Sequence, residues 1–541
     1  MKARGSRLTV VIFMLTATAI GSAEPVICPL FGDDAVFQRD VALPVWGDAV
    51  PGDSLSIKLA GQERIASCDE NGRWQAVFQP IRDPGPHVLR VTGGKSGEAV
   101  STGLLAGDIW LIAGQSNMEQ PVAGAIDHED ILADADDYPR IRYLRVRRRI
   151  AWTPKSRVEV ERGWKISSAK TARRFTGAGY FFARQLTERL ENPPPIGLVH
   201  VSWGNTRIEG WIPRHVIEAN AAFKPLLDAY VEQLEPYPDY QARFDAYFEA
   251  YEDKKRTMLR AHNVAKKKRR RMAAAGEQPL PEIPPKPEKT IFDRAFAVVG
   301  LWNGMIAPLQ PLAFRGVLWW QGESNANSNW ALYRGLFPEL IRAWRAYFGR
   351  TFPFLFVQLS FVGDPVARPP SESVWASLRE AQYRTWQSVP DTAMVVSRDI
   401  GEKSMHPRGR SIVGQRLALA AEAEVYGRDT DWCGPVYRSH RVQGDAVRIS
   451  FDHAKTLTTK SGAVSGFALK GADGEWHWAD EAEIEGAAVT IRSAAVSEPL
   501  AVRFGWAKRM EADLYDENGL PAVPFRTDTD ASPTPRSGLG K

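Results

Sequence analysis

Five short runs, nearly all apolar, constrain this chain most. They are "DIWLIAG", "IGLVHVSWGN", "GVLWWQGES", "FPFLFVQLS" and "TAMVVSRDIG". A strand with one wet face alternates polar and apolar residues, whereas a strand buried on both faces reads as a continuous apolar run. Between the first two lies "YFFARQLTERL", where Phe182, Ala183, Leu186 and Leu190 recur at helical spacing. "SLREAQYRTWQ" and "SIVGQRLALAAEAE" are further helix candidates. Strands alternating with helices predict an α/β fold built on a doubly wound parallel sheet, with chemistry at the C-terminal ends of the strands.

The flanks differ. Residues 24–104 carry short alternating runs and frequent turn signals ("ALPVWGDA", "SLSIKLAG", "HVLRVTG") and predict an N-terminal all-β module. The same texture returns over 436–528 ("AVRISFDH", "GFALKG", "AAVTIRS"), predicting a C-terminal one. The catalytic α/β domain then occupies 105–235 and 291–435. Residues 236–290, charged and helix-prone and then proline-rich, predict an inserted arm and linker. Its run Lys266–Arg271 reads as a solvated helix face rather than an anion-binding patch. Residues 529–541 read as a disordered tail.

Lys2, Arg4 and Arg7 precede the apolar stretch "LTVVIFMLTATAI" and the small residues Gly21 and Ala23. This is the pattern of a signal peptide over 1–23, and it predicts a secreted or periplasmic protein with no stable membrane span after cleavage. Loss of those three cations brings the net charge from +5 to +2. Such a balance gives no reason to expect a nucleic-acid partner. Cys28, Cys68 and Cys433 are the only cysteines. Pairing of Cys28 with Cys68 is open, no Cys/His cluster has metal-site spacing, and neither metal nor cofactor is expected. Oligomeric state is not legible.

Four strand ends carry polar residues. The first is "AGQSNMEQP", with Gln115, Ser116 and Asn117. A serine hydroxyl becomes nucleophilic when a base takes its proton and donors receive the oxyanion. The second, "VSWGNTRIEGW", supplies Gly204, whose missing side chain lets a backbone N–H approach a substrate. The third, "WWQGESNA", crowds Gln321, Glu323, Ser324 and Asn325 into one turn. The fourth, "DIGEKSMHPRGR", holds Asp399 and His406, and histidine is the natural general base near neutrality. Ser324, in "GESNA", offers a rival nucleophile on an elbow that lacks the final glycine.

Together these blocks resemble the SGNH hydrolases, and more closely the sialate O-acetylesterase family. "GDIWLIAGQSNMEQP", "VSWGNTRIEGW", "WNGMIAPL", "GVLWWQGESNA" and "MHPRGRSIVGQRLALAA" carry the resemblance, with "AVFQRDVALPVWGDA" and "LYDENGLPAVPFRTD" outside the core. The resemblance implies an SGNH-hydrolase-like α/β sheet and an acetylesterase acting on acetylated carbohydrate. It implies Ser116 as nucleophile and His406 as base. The oxyanion donors would be the N–H groups of Ser116 and Gly204 with the side chain of Gln321, or of Asn325 in its place. Family members often read Gly-Gly where this chain has Gly204-Asn205. Many SGNH enzymes place an aspartate three residues before the histidine, where this chain has Lys403, so Asp399 is the candidate orienter. Gln115, Asn117, Glu323, Arg207 and Arg379 are candidate substrate contacts, and Trp203, Trp211, Trp319 and Trp320 candidate sugar-stacking rings. The sugar is not determined: sialic acid, xylan or another acetylated polysaccharide fits, as does a carbohydrate-binding protein that has lost catalysis.

Overall fold

A computed structural model of the chain describes residues 24–528. The signal-peptide reading over 1–23 and the tail reading over 529–541 lie outside the described residues.

One strand organises the molecule. β1 (Gly97–Gly114) is 18 residues long. Its first half pairs antiparallel with the last strand of the N-terminal module, His87–Gly93. Its second half is the central strand of the large sheet, so one continuous backbone passes from the β module into the α/β domain. The other strands of this sheet are β2 (Ile141–Val146), β3 (Val160–Ile166), β4 (Ile196–His200), β5 (Gly316–Trp320), β6 (Phe354–Val357) and β7 (Thr392–Val395). Their spatial order is β3-β2-β4-β1-β5-β6-β7. All neighbours are parallel except the β3 edge, which is antiparallel to β2. The fold is thus mixed α/β with one large mixed sheet. The chain departs from β1 toward the β2 side and later returns to add β5, β6 and β7 on the other. In open α/β sheets ligands bind at such a reversal, which here lies at the C-terminal ends of β4, β1 and β5.

Side chains alternate across the pleat. Trp110, Ile112, Leu198, Leu318, Trp320 and Leu355 face one layer, packed against α2 (Gly177–Arg189) and α7 (Arg410–Glu424). Leu111, Ala113, Val199, Val317, Trp319 and Phe354 face the other, packed against α5 (Tyr333–Phe348) and α6 (Val374–Ser388). These strands are apolar at every position because both faces are covered. α5 buries Leu336, Phe337, Leu340, Ile341 and Trp344 and stops at Gly349, whose φ of 65° is left-handed. α7 approaches α2 through Gly414, where a Cβ would lie 2.4 Å from the Cβ of Phe181.

The 236–290 segment contains the 35-residue helix α3 (Tyr240–Ala274), anchored by buried Phe244, Phe248 and Tyr251. Beyond that anchor the helix is largely exposed, the Lys266–Arg271 run included. C-terminal to α7 the chain forms two four-stranded antiparallel sheets and a two-stranded one. Cys28, Cys68 and Cys433 are buried free thiols, so no bond joins Cys28 to Cys68. Among the described residues no helix is long and apolar enough to cross a membrane, and no cluster of three or more His, Cys, Asp or Glu could hold a metal ion.

Candidate active site

β1 ends at Gly114, where φ is +127° and a Cβ would lie 2.3 Å from the Trp320 carbonyl. Only glycine makes this turn beside β5. The Gln115 N–H bonds that carbonyl at 2.9 Å, and Ser116 begins the short helix α1 (Ser116–Glu119). Ser116 is part-exposed at this strand end. As the first helical residue, its N–H has no acceptor within the helix.

The second block packs directly against it. A Cβ on Gly204 would lie 3.2 Å from the Ser116 Cβ, and the Trp203 N–H bonds the Gly114 carbonyl at 3.0 Å. The Gly204 N–H is already used, however: it donates to Glu119 Oε2 at 2.7 Å. Arg145 and Arg148 hold Glu119 Oε1 at 2.6 and 2.5 Å, and Arg294 Nε donates to the Gly204 carbonyl at 2.5 Å. Gly204 therefore abuts Ser116, with its N–H facing a resident carboxylate.

The third block departs from expectation. Gln321 and Asn325 are fully buried, and buried amides satisfy their donors internally. Gln321 Nε2 donates to Asn325 Oδ1 at 2.8 Å, and to Gln115 Oε1 and the Thr206 carbonyl at 3.2 Å each. Asn325 Nδ2 donates to Glu209 Oε2 at 3.0 Å. Gln321 Nε2 is shared among three internal acceptors, and Asn325 Nδ2 is turned toward the Glu209 carboxylate. Glu323 is 3% exposed and accepts from Asn117 Nδ2 at 2.5 Å, and its Oε2 has no partner. Burial pushes its carboxyl up to about 7.

The fourth block reaches the site through Asn117, whose Nδ2 also donates to the Met405 carbonyl at 3.0 Å. His406 follows directly and is half-buried. Its imidazole lies below the usual histidine value, chiefly through burial and next through the Arg410 charge, while Glu119 acts in the opposite direction. Among the described residues, no hydrogen bond joins Ser116 Oγ and the imidazole, and no carboxylate bonds the ring. Asp399 does not orient His406. Its two oxygens accept from Arg416 at 2.7 Å each, which holds it down at about 2. The pair is buried, so each group is tied to the other.

Arg379 is likewise not a substrate contact. It is fully buried and braces the C-terminal module, donating to the Gly505 carbonyl at 3.2 Å and to that of Ala507. Trp211, Trp319 and Trp320 are fully buried and Trp203 is 4% exposed, so these rings are core rather than a sugar platform. Arg207 lies 5.8 Å over the Phe296 ring, is part-exposed and has no anionic partner among the described residues. Glu119, Arg145, Arg148, Arg294 and Arg410 escaped the sequence reading. Glu119 lies inside the first block, but nothing local says that its carboxylate turns toward residue 204.

A family model described as carbohydrate esterase, sialic acid-specific acetylesterase, matches residues 106–237 and 300–422. The two stretches bracket the inserted helix. The chain is 29% identical over 430 residues to the sialate O-acetylesterase of Mus musculus, covering 72% of each. It is 27% identical over 530 residues to that of Rattus norvegicus, covering 89% of this chain and 90% of the other. The crystal structure of a carbohydrate acetylesterase from Xanthomonas citri matches with a TM-score of 0.74 at 33% identity, over 93% of this chain and 100% of that one.

Proposed function

Since the chain belongs to the carbohydrate esterase family of sialic acid-specific acetylesterases and is a carboxylic ester hydrolase, we propose that it is an exported serine esterase. In this reading it removes O-acetyl groups from carbohydrate through an acetyl-Ser116 intermediate, on an SGNH-hydrolase-like α/β domain. One observation carries the proposal. Asn117, adjacent to Ser116, holds the Met405 carbonyl, adjacent to His406, so that residues 288 positions apart meet at one strand end.

The His406 imidazole takes the Ser116 proton as Oγ attacks the acetyl carbonyl carbon. The carbonyl oxygen gains the electron pair, and the Ser116 N–H stabilises it. The intermediate collapses, the sugar oxygen leaves with the proton from His406, and acetyl-serine remains. Water then attacks, His406 takes its proton, acetate departs and Ser116 recovers its hydrogen. With Asp399 committed to Arg416, the reading is a Ser–His dyad. Burial and Arg410 keep the base neutral into mildly acidic solution. Sialic acid is the first sugar to test, since its carboxylate would find Arg207 without an anionic partner. The pattern over 1–23 supports export.

The test is acetate release from O-acetylated sialic acid, acetylxylan and aryl acetates, with organophosphate labelling mapped by peptide. Labelling at Ser116 and turnover lost in Ser116→Ala support the reading. Sugar binding without acetate release, or labelling at Ser324, refutes it.

A further inference from the structure

The Gln321 and Asn325 amides of the third block are turned inward, yet the block converges on one atom beside the nucleophile. Gln115 Oε1 accepts from Gln321 Nε2 at 3.2 Å, from the Gly322 N–H at 3.4 Å and from the Ser324 N–H at 3.2 Å. Three donors on one oxygen define which end of the amide is which. They also pin the side chain against the β5 turn. The amide's other end, Nε2, has no partner among the described residues, and it is not among the sealed polar atoms although Gln115 as a whole is 2% exposed. A buried amide with one end fully held and two donor hydrogens unused at accessible surface is a preorganised donor. Its desolvation is already incurred and its orientation costs nothing further when a partner arrives.

Its place matters as much as its hydrogens. Gln115 directly precedes Ser116, at the end of the central strand. Its carbonyl end is held by the β5 turn, and Gln321 in turn ties that turn to Thr206 in the second block. Gly204 abuts Ser116 on the β4 side, and its N–H is engaged by Glu119. The β5 side is therefore where a free donor is found.

We propose that the Gln115 side-chain amide is an oxyanion donor of this site, acting with the Ser116 N–H, and that Gln321, Gly322 and Ser324 are its positioning groups. The proposal rests on the acyl-serine reading above. When the acetyl carbonyl becomes tetrahedral, its oxygen gains an electron pair and Gln115 Nε2–H donates to it. No proton is transferred and no bond to nitrogen forms.

The experiment uses the full chain, an aryl acetate, phenylboronic acid as the tetrahedral mimic and a fluorophosphonate as the serine label. In Gln115→Ala, kcat should fall about 10²- to 10³-fold, the loss typical for one oxyanion donor. KM should change little, and boronate affinity should fall with kcat. In Gln115→Glu the three donors keep an acceptor while the donor end is lost, so the same kinetic loss should appear with the turn intact by near-UV circular dichroism. That variant carries the test if the alanine variant fails to fold. Folded variants whose kcat and boronate affinity stay within about threefold of wild type would overturn the proposal. So would parallel loss of KM and stability with boronate affinity unchanged, the mark of a structural brace. If the wild-type chain is not labelled at Ser116, the acyl-serine reading itself fails and takes this proposal with it.

Discussion

Glu119 Oε2 accepts the Gly204 N–H at 2.7 Å, three residues along the chain from Ser116. The backbone donor that the second block brings beside the candidate nucleophile thus faces a carboxylate clamped by Arg145 and Arg148. A charge this close also acts on the base, since Glu119 raises the His406 value. Removing it favours the neutral imidazole, the form that the proposed mechanism uses as base. In Glu119→Gln the acid limb of the kcat/KM profile should move to lower pH. A limb that stays in place, or moves up, would refute the coupling.

Arg410 is the opposite case. It is 2% exposed with Nε and Nη1 unpartnered, and burial draws its own value down to about 10. Its charge disfavours a second cation on His406. Wild-type activity should therefore persist below pH 6.5, and in Arg410→Met the acid limb should rise toward the ordinary histidine value. Replacing a poorly paired buried charge with an apolar side chain of similar length is neutral or stabilising. Thermal denaturation of the variant should show no loss of Tm.

Ser116→Ala should lower kcat by about 10⁴-fold or more while Tm stays close to wild type, because the hydroxyl has no hydrogen-bond partner among the described residues. Ser324→Ala should retain turnover. The reverse outcome would move the nucleophile to the β5 turn.

Asp399→Asn separates stability from catalysis. Arg416 is 7% exposed at its side chain, and leaving it unpaired should cost about 3–5 kcal/mol with kcat changed less than about threefold. The Asp399 carboxyl is held at about 2, below its unpaired value of 3.8. Its contribution to stability is therefore complete above pH 3.8 and lost as the pH falls toward 2. Urea denaturation over that window should show a flatter acid decline in the variant. Loss of activity without loss of stability would reinstate Asp399 beside the base.

Glu323 runs the other way. Its carboxyl rises from 4.5 to about 7 by burial, so the folded chain holds a proton that the unfolded chain releases. Stability from this group is present below pH 4.5 and is lost as the pH rises through 7, a change of about 3 kcal/mol. Glu323→Gln, neutral and able to accept from Asn117, should remove that decline. An unchanged slope between pH 5 and 8 in urea denaturation would show that the carboxyl is not desolvated.

The sequence by itself determined the α/β class, though not the antiparallel β3 edge that makes the large sheet mixed. A strand covered on both faces must be apolar at every position, so the runs ending at Gly114 and Trp320 announce a sheet between two helical layers. It also determined which stretches carry polar residues at strand ends, since glycines and amides there leave no other local account. Which atoms those residues present was decided only by tertiary structure. Gln321 and Asn325 look like free donors in a one-dimensional reading, yet folding buries them and turns both amide nitrogens toward internal acceptors. Asp399 is close to His406 along the chain, but Arg416 one helix later claims both its oxygens. Gln115 is adjacent to Ser116 in any reading; that its carbonyl end is held and its amine end left open follows from three donors 206 to 209 positions away. Hydrogen bonds and charges act over a few ångströms of space rather than along the chain, so they settle only when the strands are placed side by side.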